Sequence, residues 1–217
     1  MPSSPLSVRL TNVPWQHDGF NAYQQLDFWS GRRWFWFSYT CSKLLGCLTP
    51  FGTRTGPTSF PYLDILSPYN LATDPQDPGF RFQMTFWAIV RSPLFIGLDL
   101  SGDLTAADLA QLTNPGVLAV NSHSTNNRQV KSGGGSYVWA AEQVSETSGY
   151  YVALLNHGTQ AQEVRASFAE IGIAGSPDEC DVVDVWTGQA QGTAAVAVVA
   201  HLPAVTGARL LWLKDCR

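Results

Sequence analysis

Four histidines, four cysteines and seventeen carboxylates are the reactive side chains of this 217-residue sequence, and their spacing limits its chemistry. His17, His123, His157 and His201 are dispersed, so each reads as a surface or internally satisfied histidine rather than a metal ligand. Cys41, Cys47, Cys180 and Cys216 form no Cys-x-x-Cys pair, which gives no support to a zinc or dithiol redox site. Neither a metal nor a cofactor is expected. Cys180 and Cys216 fall in one stretch and could pair in an oxidising compartment, but two buried free thiols is the favoured reading. Asp74, Asp77 and Asp103 adjoin proline or glycine and read as turn carboxylates. Asp99 follows the apolar run 94–98 and is read as capping the next turn. Carboxylate chemistry, in which one group gives a proton and another attacks or takes one, is what is left to test.

Composition narrows the partners. Charged residues make up 14% of the chain, against about 25% in an average soluble domain, while hydrophobic residues reach 45% and aromatics 12%. That is enough apolar surface for a core, and it argues against disorder. A net charge of −4 argues against nucleic acid as a partner. No apolar run approaches the roughly 18 residues of a membrane span, so no membrane is expected. Residues 1–6 show neither a basic n-region nor an apolar h-region, so no secretion signal is visible and localisation is not readable.

The elements that would position these groups differ between the two halves. Aromatics and prolines concentrate in residues 1–123, and only Pro177 and Pro203 lie beyond them. Residues 77–91 carry Phe82, Phe86, Ile89 and Val90 at helical spacing, and Ser92-Pro93 ends that helix. The run 94–98 reads as a strand buried on both faces. A second helix begins at Thr105 and ends before Asn114-Pro115. Helix, strand and helix in succession predict an α/β layer with a parallel sheet. Residues 28–52 resist this reading and are left unassigned; within them 28–37, with three tryptophans and three phenylalanines, shows no clear period. A linker is expected at 122–127, with the glycine-rich 132–136 close behind. Beyond it, the runs 137–144, 150–156, 163–168, 180–186, 194–200 and 208–213 read as strands of an antiparallel sandwich.

The stretch from Phe82-Gln83-Met84-Thr85-Phe86-Trp87-Ala88 through Ser92-Pro93-Leu94 to Gly97-Leu98-Asp99-Leu100 resembles the Q-M-T-x-W-A-x-x-x-S-P-L-x-x-G-x-D-L motif of family 27 glycoside hydrolases. These are the α-galactosidases and α-N-acetylgalactosaminidases. Leu112-Thr113-Asn114-Pro115-Gly116-Val117, Val183-Asp184-Val185-Trp186 and Leu202-Pro203-Ala204-Val205-Thr206-Gly207 resemble later parts of the same family. The likeness runs from about Phe60 to the last residue.

By that resemblance the fold is the C-terminal part of a (β/α)8 barrel over residues 1–123, followed by an antiparallel β-sandwich over 124–217. A whole barrel takes about 250 residues. The implied activity is retaining hydrolysis of α-galactosides, with the family often secreted, lysosomal or vacuolar. A retaining enzyme needs two carboxylates about 5 Å apart. The family's nucleophile lies in a Lys-x-Asp pattern, and these 217 residues contain none. Its acid/base lies in Arg-x-Thr-x-Asp-x-Trp, which here reads Arg9-Leu10-Thr11-Asn12-Val13-Pro14-Trp15, with Val13 at the aspartate position. A shifted alignment would use Asp18 instead, and in another reading Arg9 opens an unrelated loop. The family's W-x-D-x-D-M reads Phe60-Pro61-Tyr62-Leu63-Asp64-Ile65, which keeps Asp64 and replaces the first aspartate by Tyr62. Arg9 and Asp64 are the candidate sugar-binding residues, and no catalytic residue is assigned. Two readings follow: a hydrolase chain lacking its nucleophile, or a non-catalytic carbohydrate-binding or structural remnant. Galactose and N-acetylgalactosamine are not distinguished.

Overall fold

The computed structural model describes residues 10–11, 60–61, 65–66, 78–96, 106–144, 149–173, 175 and 177–217. Two short strand pairs come first. β1 (Leu10–Thr11) pairs antiparallel with β2 (Phe60–Pro61), and β3 (Ile65–Leu66) pairs parallel with β4 (Phe95–Ile96). Neighbouring strands of a (β/α)8 barrel are parallel, so only the second pair has that geometry. The run around β4 is not buried on both faces as expected: Phe95 is half-buried and Ile96 is 41% exposed. Among the described residues β3 is its one strand neighbour.

Helix α1 (Pro78–Ile89) lies between β3 and β4 in the chain. Proline at its first position suits the helix start, where the missing N–H has no partner to lose. Phe80 and every residue from Phe82 to Ile89 are buried, so the helix is covered around most of its circumference. It ends as expected before Ser92-Pro93, with Arg91 in the left-handed region at φ 59°. α2 (Ala106–Leu112) and α3 (Pro115–Ser122) follow. Asn114 caps α3 by accepting from Val117 N at 3.1 Å, again with proline at the first turn.

The rest is an antiparallel sandwich. β5 (Ser124–Gly133), β6 (Ser136–Gln143), β7 (Gly149–Asn156), β9 (Cys180–Asp184), β10 (Ala190–Ala194) and β12 (Gly207–Lys214) form one sheet in the order β10-β9-β12-β7-β6-β5. β8 (Gln162–Ser167) and β11 (Ala197–Leu202) form a second, with the short helix α4 (Phe168–Ile171) after β8. Side chains alternate across a strand, and here both faces are covered. Trp139, Ala141, Tyr151, Ala153, Leu155 and Leu210 pack with α1. Val138, Ala140, Val152, Leu154, Leu211 and Leu213 pack between the sheets. Burial on both sides is why β7 reads Tyr-Tyr-Val-Ala-Leu-Leu without a polar alternation.

Three expectations are corrected. The linker at 122–127 and 132–136 is largely a ten-residue strand, β5, joined to β6 by a two-residue turn. Gly134 and Gly135 both have positive φ there (58° and 81°), as such a turn requires. A Cβ on Gly135 would meet Gly158 Cα at 2.5 Å. Two register shifts break the side-chain alternation of β5 and hide it from pattern reading. The single run 194–200 is a corner: β10 ends at Ala194 in the large sheet and β11 begins at Ala197 in the small one.

The third correction concerns Cys180 and Cys216, which form a disulfide and are not free thiols. It joins the start of β9 to the C-terminal tail, whose Arg217 exchanges two backbone hydrogen bonds with Glu179. A crosslink spanning 36 residues of sequence restricts the unfolded chain and is worth about 3–4 kcal/mol in the chain-entropy account. The double variant Cys180→Ser/Cys216→Ser is therefore expected to lose stability of that order in urea unfolding, and reduction of the unaltered chain should reproduce the loss. An unchanged midpoint would show that the crosslink adds nothing.

Candidate functional site

Arg9, Val13, Asp18, Asp64 and Asp99, together with His17, Asp74, Asp77 and Asp103, lie outside the described residues. Described residues do adjoin Arg9 and Asp64 in the chain. Leu10 and Thr11, which follow Arg9, pair with Pro61 and Phe60, which open the segment leading to Asp64. Ile65, next to Asp64 in the chain, pairs with Phe95 on the strand leading toward Asp99. The two pairs are separate two-stranded sheets.

What holds this region on the sandwich is described in full. Helix α1 carries the Gln83-Met84-Thr85 motif and packs against β6, β7 and β12. Trp186, in the turn after β9, donates its indole Nε1–H to Thr85 Oγ1 at 2.9 Å. The Arg81 guanidinium sits over the same indole, 5.3 Å from its centroid, and donates Nε–H to Gln111 Oε1 of α2 at 3.3 Å. Asn114 donates Nδ2–H to Trp186 O at 2.8 Å while its Oδ1 caps α3. A Cβ on Gly116 would come within 2.5 Å of Val185 O, so α3 approaches this turn as closely as a glycine allows. One turn therefore clamps α1 and α3, and Arg81 ties α2 to α1.

The far end of α1 is held as firmly. Asn127 of β5 donates to Ile89 O at 2.7 Å, and Asn121 of α3 donates to Ser92 O at 2.9 Å. Arg91 reaches Asn121 O at 3.1 Å and Ser124 O at 2.6 Å, and partial burial pushes its pKa below the usual guanidinium value. Arginine nonetheless stays charged. On the other side Phe82 packs on His157, whose Nδ1 lies 2.8 Å from Val205 O. His157 is thus a packing histidine, and His201 pairs with Glu163 at 3.4 Å on the surface.

Among the described residues the carboxylates in ion pairs each face a base: Asp184 meets Arg209 at 3.0 Å, Glu179 and Asp181 both meet Arg217, and Glu170 meets Lys131. Glu170 also accepts from Ser167 N in a capping box, which holds its carboxyl below the ordinary glutamate pKa. No group of three or more His, Cys, Asp or Glu suited to a metal occurs among the described residues. Nor is any of their helices long and apolar enough to cross a membrane.

Sequence reading named Thr85, Asn114 and Trp186 only as parts of motifs. Asn114-Pro115 was a readable capping signal. The Trp186–Thr85 bond, spanning 101 residues, left no local trace. Thr85→Val keeps the volume of a fully buried side chain but strands the indole donor, at a cost of about 1–3 kcal/mol. Chemical denaturation should report that loss, and Thr85→Ser should recover most of it. A loss in Thr85→Ser with none in Thr85→Val would mean that the methyl group, not the hydrogen bond, matters.

Residues 133–205, covering most of the sandwich, match the α-galactosidase C-terminal β-sandwich domain family. An α-galactosidase of Lachancea cidri is 26% identical over 162 residues, which is 69% of this chain and 34% of the relative. One from Coffea arabica is 28% identical over 128 residues, 56% of this chain and 33% of the relative. Among solved structures, α-galactosidase I of Mortierella vinacea is 25% identical with a TM-score of 0.61, over 71% of this chain and 39% of its own. The chain is thus similar to the C-terminal portion of α-galactosidases of glycoside hydrolase family 27. A family 27 β-L-arabinopyranosidase of Geobacillus stearothermophilus shares the fold at 22% identity, with a TM-score of 0.70 over 82% of this chain and 42% of its own. The chain spans about a third of the length of the curated family members it matches.

Proposed function

We propose that this chain is the C-terminal portion of an α-galactosidase-like glycoside hydrolase, in which residues 124–217 brace the end of a partial (β/α)8 barrel formed by residues 1–123. The observation that carries the reading is the seating of the motif helix α1 on the matched sandwich through Thr85 and Trp186. A sugar pocket at strand ends needs those ends fixed, and α1 leads directly into β4. In this reading Arg9 and Asp64 hold hydroxyls of a terminal α-galactosyl residue. Asp64 accepts from a hydroxyl and Arg9 donates to a sugar oxygen. Val13 stands where the family's acid/base would be, and the nucleophile is not supplied by these residues.

The alternative, a structural remnant without a sugar site, separates from this reading in one experiment. Saturation-transfer NMR with methyl α-D-galactoside should show contact with the purified chain, weakened in Arg9→Ala and in Asp64→Asn, and methyl α-D-glucoside should show less. Galactoside contact that ignores both substitutions would remove Arg9 and Asp64 from the assignment. No contact at all would favour the remnant.

A further inference from the structure

Among the described residues the sandwich is lopsided, with six strands in one layer and two in the other. β8 lies over β6 and β7, and β11 lies over β7 and β12. The inner faces of β9 and β10 instead border an open groove of about 650 Å3 that runs along β11. Val182 and Leu211, each 7% exposed, lie at its floor. Along its wall β11 pairs with β8 on one edge, and among the described residues no strand pairs with the other. An unpaired strand edge presents a row of N–H and C=O groups that matches one kind of ligand, another extended backbone.

Edges of this kind are normally blunted, and the two edges of the large sheet are. β5 has two register shifts and carries Arg128 and Lys131, while β10 has one shift and Gly192 at φ 91°. β11 has neither device. Its six residues pair with β8 in unbroken register, contain no proline and carry no charge except at His201, which Glu163 faces across the strands. Val196, just before it, and Val199, within it, stand 66% and 43% exposed. The charges at the groove are already matched, Arg209 by Asp184 and His201 by Glu163, so the site favours an uncharged occupant.

We propose that the β11 edge is a docking site for an extended, uncharged peptide segment that adds a third strand to the small sheet and covers β9 and β10. Small or β-branched side chains at alternate positions would face Val182 and Leu211, and the intervening ones would face solvent. At about 3.3 Å per residue, the six residues of β11 offer roughly 20 Å of edge. A second copy of this chain does not fit. Antiparallel pairing of two β11 edges places both large sheets on one side, where the overhanging β9 and β10 of each copy collide with the other.

The test uses the full chain and a capped, uncharged peptide alternating threonine and valine. Saturating peptide should slow amide exchange in β11 about tenfold or more. The same peptide with proline at every second position cannot form a ladder and should give no protection. Val199→Lys, at an exposed position, should abolish the effect while leaving the melting temperature unchanged. The proposal is overturned by no slowing, by equal slowing with the proline peptide, or by undiminished protection in Val199→Lys. A dimer seen in sedimentation that protects β11 without peptide would also overturn it.

Discussion

Purified chain incubated with an aryl α-galactoside is expected to release the aryl group at the uncatalysed rate. Glycosidic cleavage with retention passes through an oxocarbenium-like state that one carboxylate attacks while another protonates the departing oxygen. General acid catalysis alone contributes about 10²–10⁴-fold, and the covalent route through a nucleophile is additional. In our alignment Val13 replaces the proton donor, and no Lys-x-Asp supplies the nucleophile. Both contributions are lost together. Arg9 and Asp64 could still bind a galactoside, but binding the ground state and transition state equally does not raise the rate of the chemical step. A leaving group of low pKa makes the assay stringent, because it removes most of the need for an acid and leaves only the nucleophile to be tested. Val13→Asp should accordingly stay inactive, since it restores the acid without the nucleophile. Turnover well above background that vanishes in Asp64→Asn or Asp18→Asn would show a displaced carboxylate at work and overturn the alignment.

The parts of this fold that were legible in the sequence are those set by local chemistry. The expected strand at 150–156 lies within β7 (Gly149–Asn156), and the expected helix at 77–91 encloses α1 (Pro78–Ile89). Phe82, Phe86 and Ile89 recur at helical spacing, and proline fixes both ends of α1. β5 was illegible because its register shifts put Asn127 inward, where it bonds Ile89 O, and scatter its polar residues over both faces. The disulfide was open to either reading because pairing depends on where β9 and the tail meet across β12, a long-range fact. The same holds for the clamp on α1. Trp186 and Thr85 are ordinary residues in their own segments, and only the packed sandwich makes them partners. The resemblance to the family was carried by the motif residues 82–100, which include the helix that the sandwich holds most closely.

That dependence makes the second large effect a packing effect. Phe86 is fully buried at the centre of the interface between α1 and the sheet, edge-on to Trp87 at 6.0 Å and to Trp139 of β6 at 6.1 Å between ring centroids. Phe86→Ala removes the ring from a site whose neighbours are themselves held. Trp139 is fixed within β6, and α1 is pinned at one end by Asn127 and near its middle by Trp186. The cavity therefore closes poorly, and the expected cost is about 3–5 kcal/mol, of which the edge-to-face geometry accounts for about 1 kcal/mol. For a chain of this size that is a drop of roughly 10 °C in melting temperature. The loss should appear in near-ultraviolet circular dichroism, because Trp139 and Trp186 both report on this interface. Leu109→Ala provides the contrast. It removes about half as many carbon atoms, from a side chain 46% exposed on α2, and should change stability by no more than about 0.5 kcal/mol. If the two variants melted alike, α1 would not be seated on the sandwich. Nothing would then hold β4, and the segments around Arg9 and Asp64 would lose the support on which a sugar site depends.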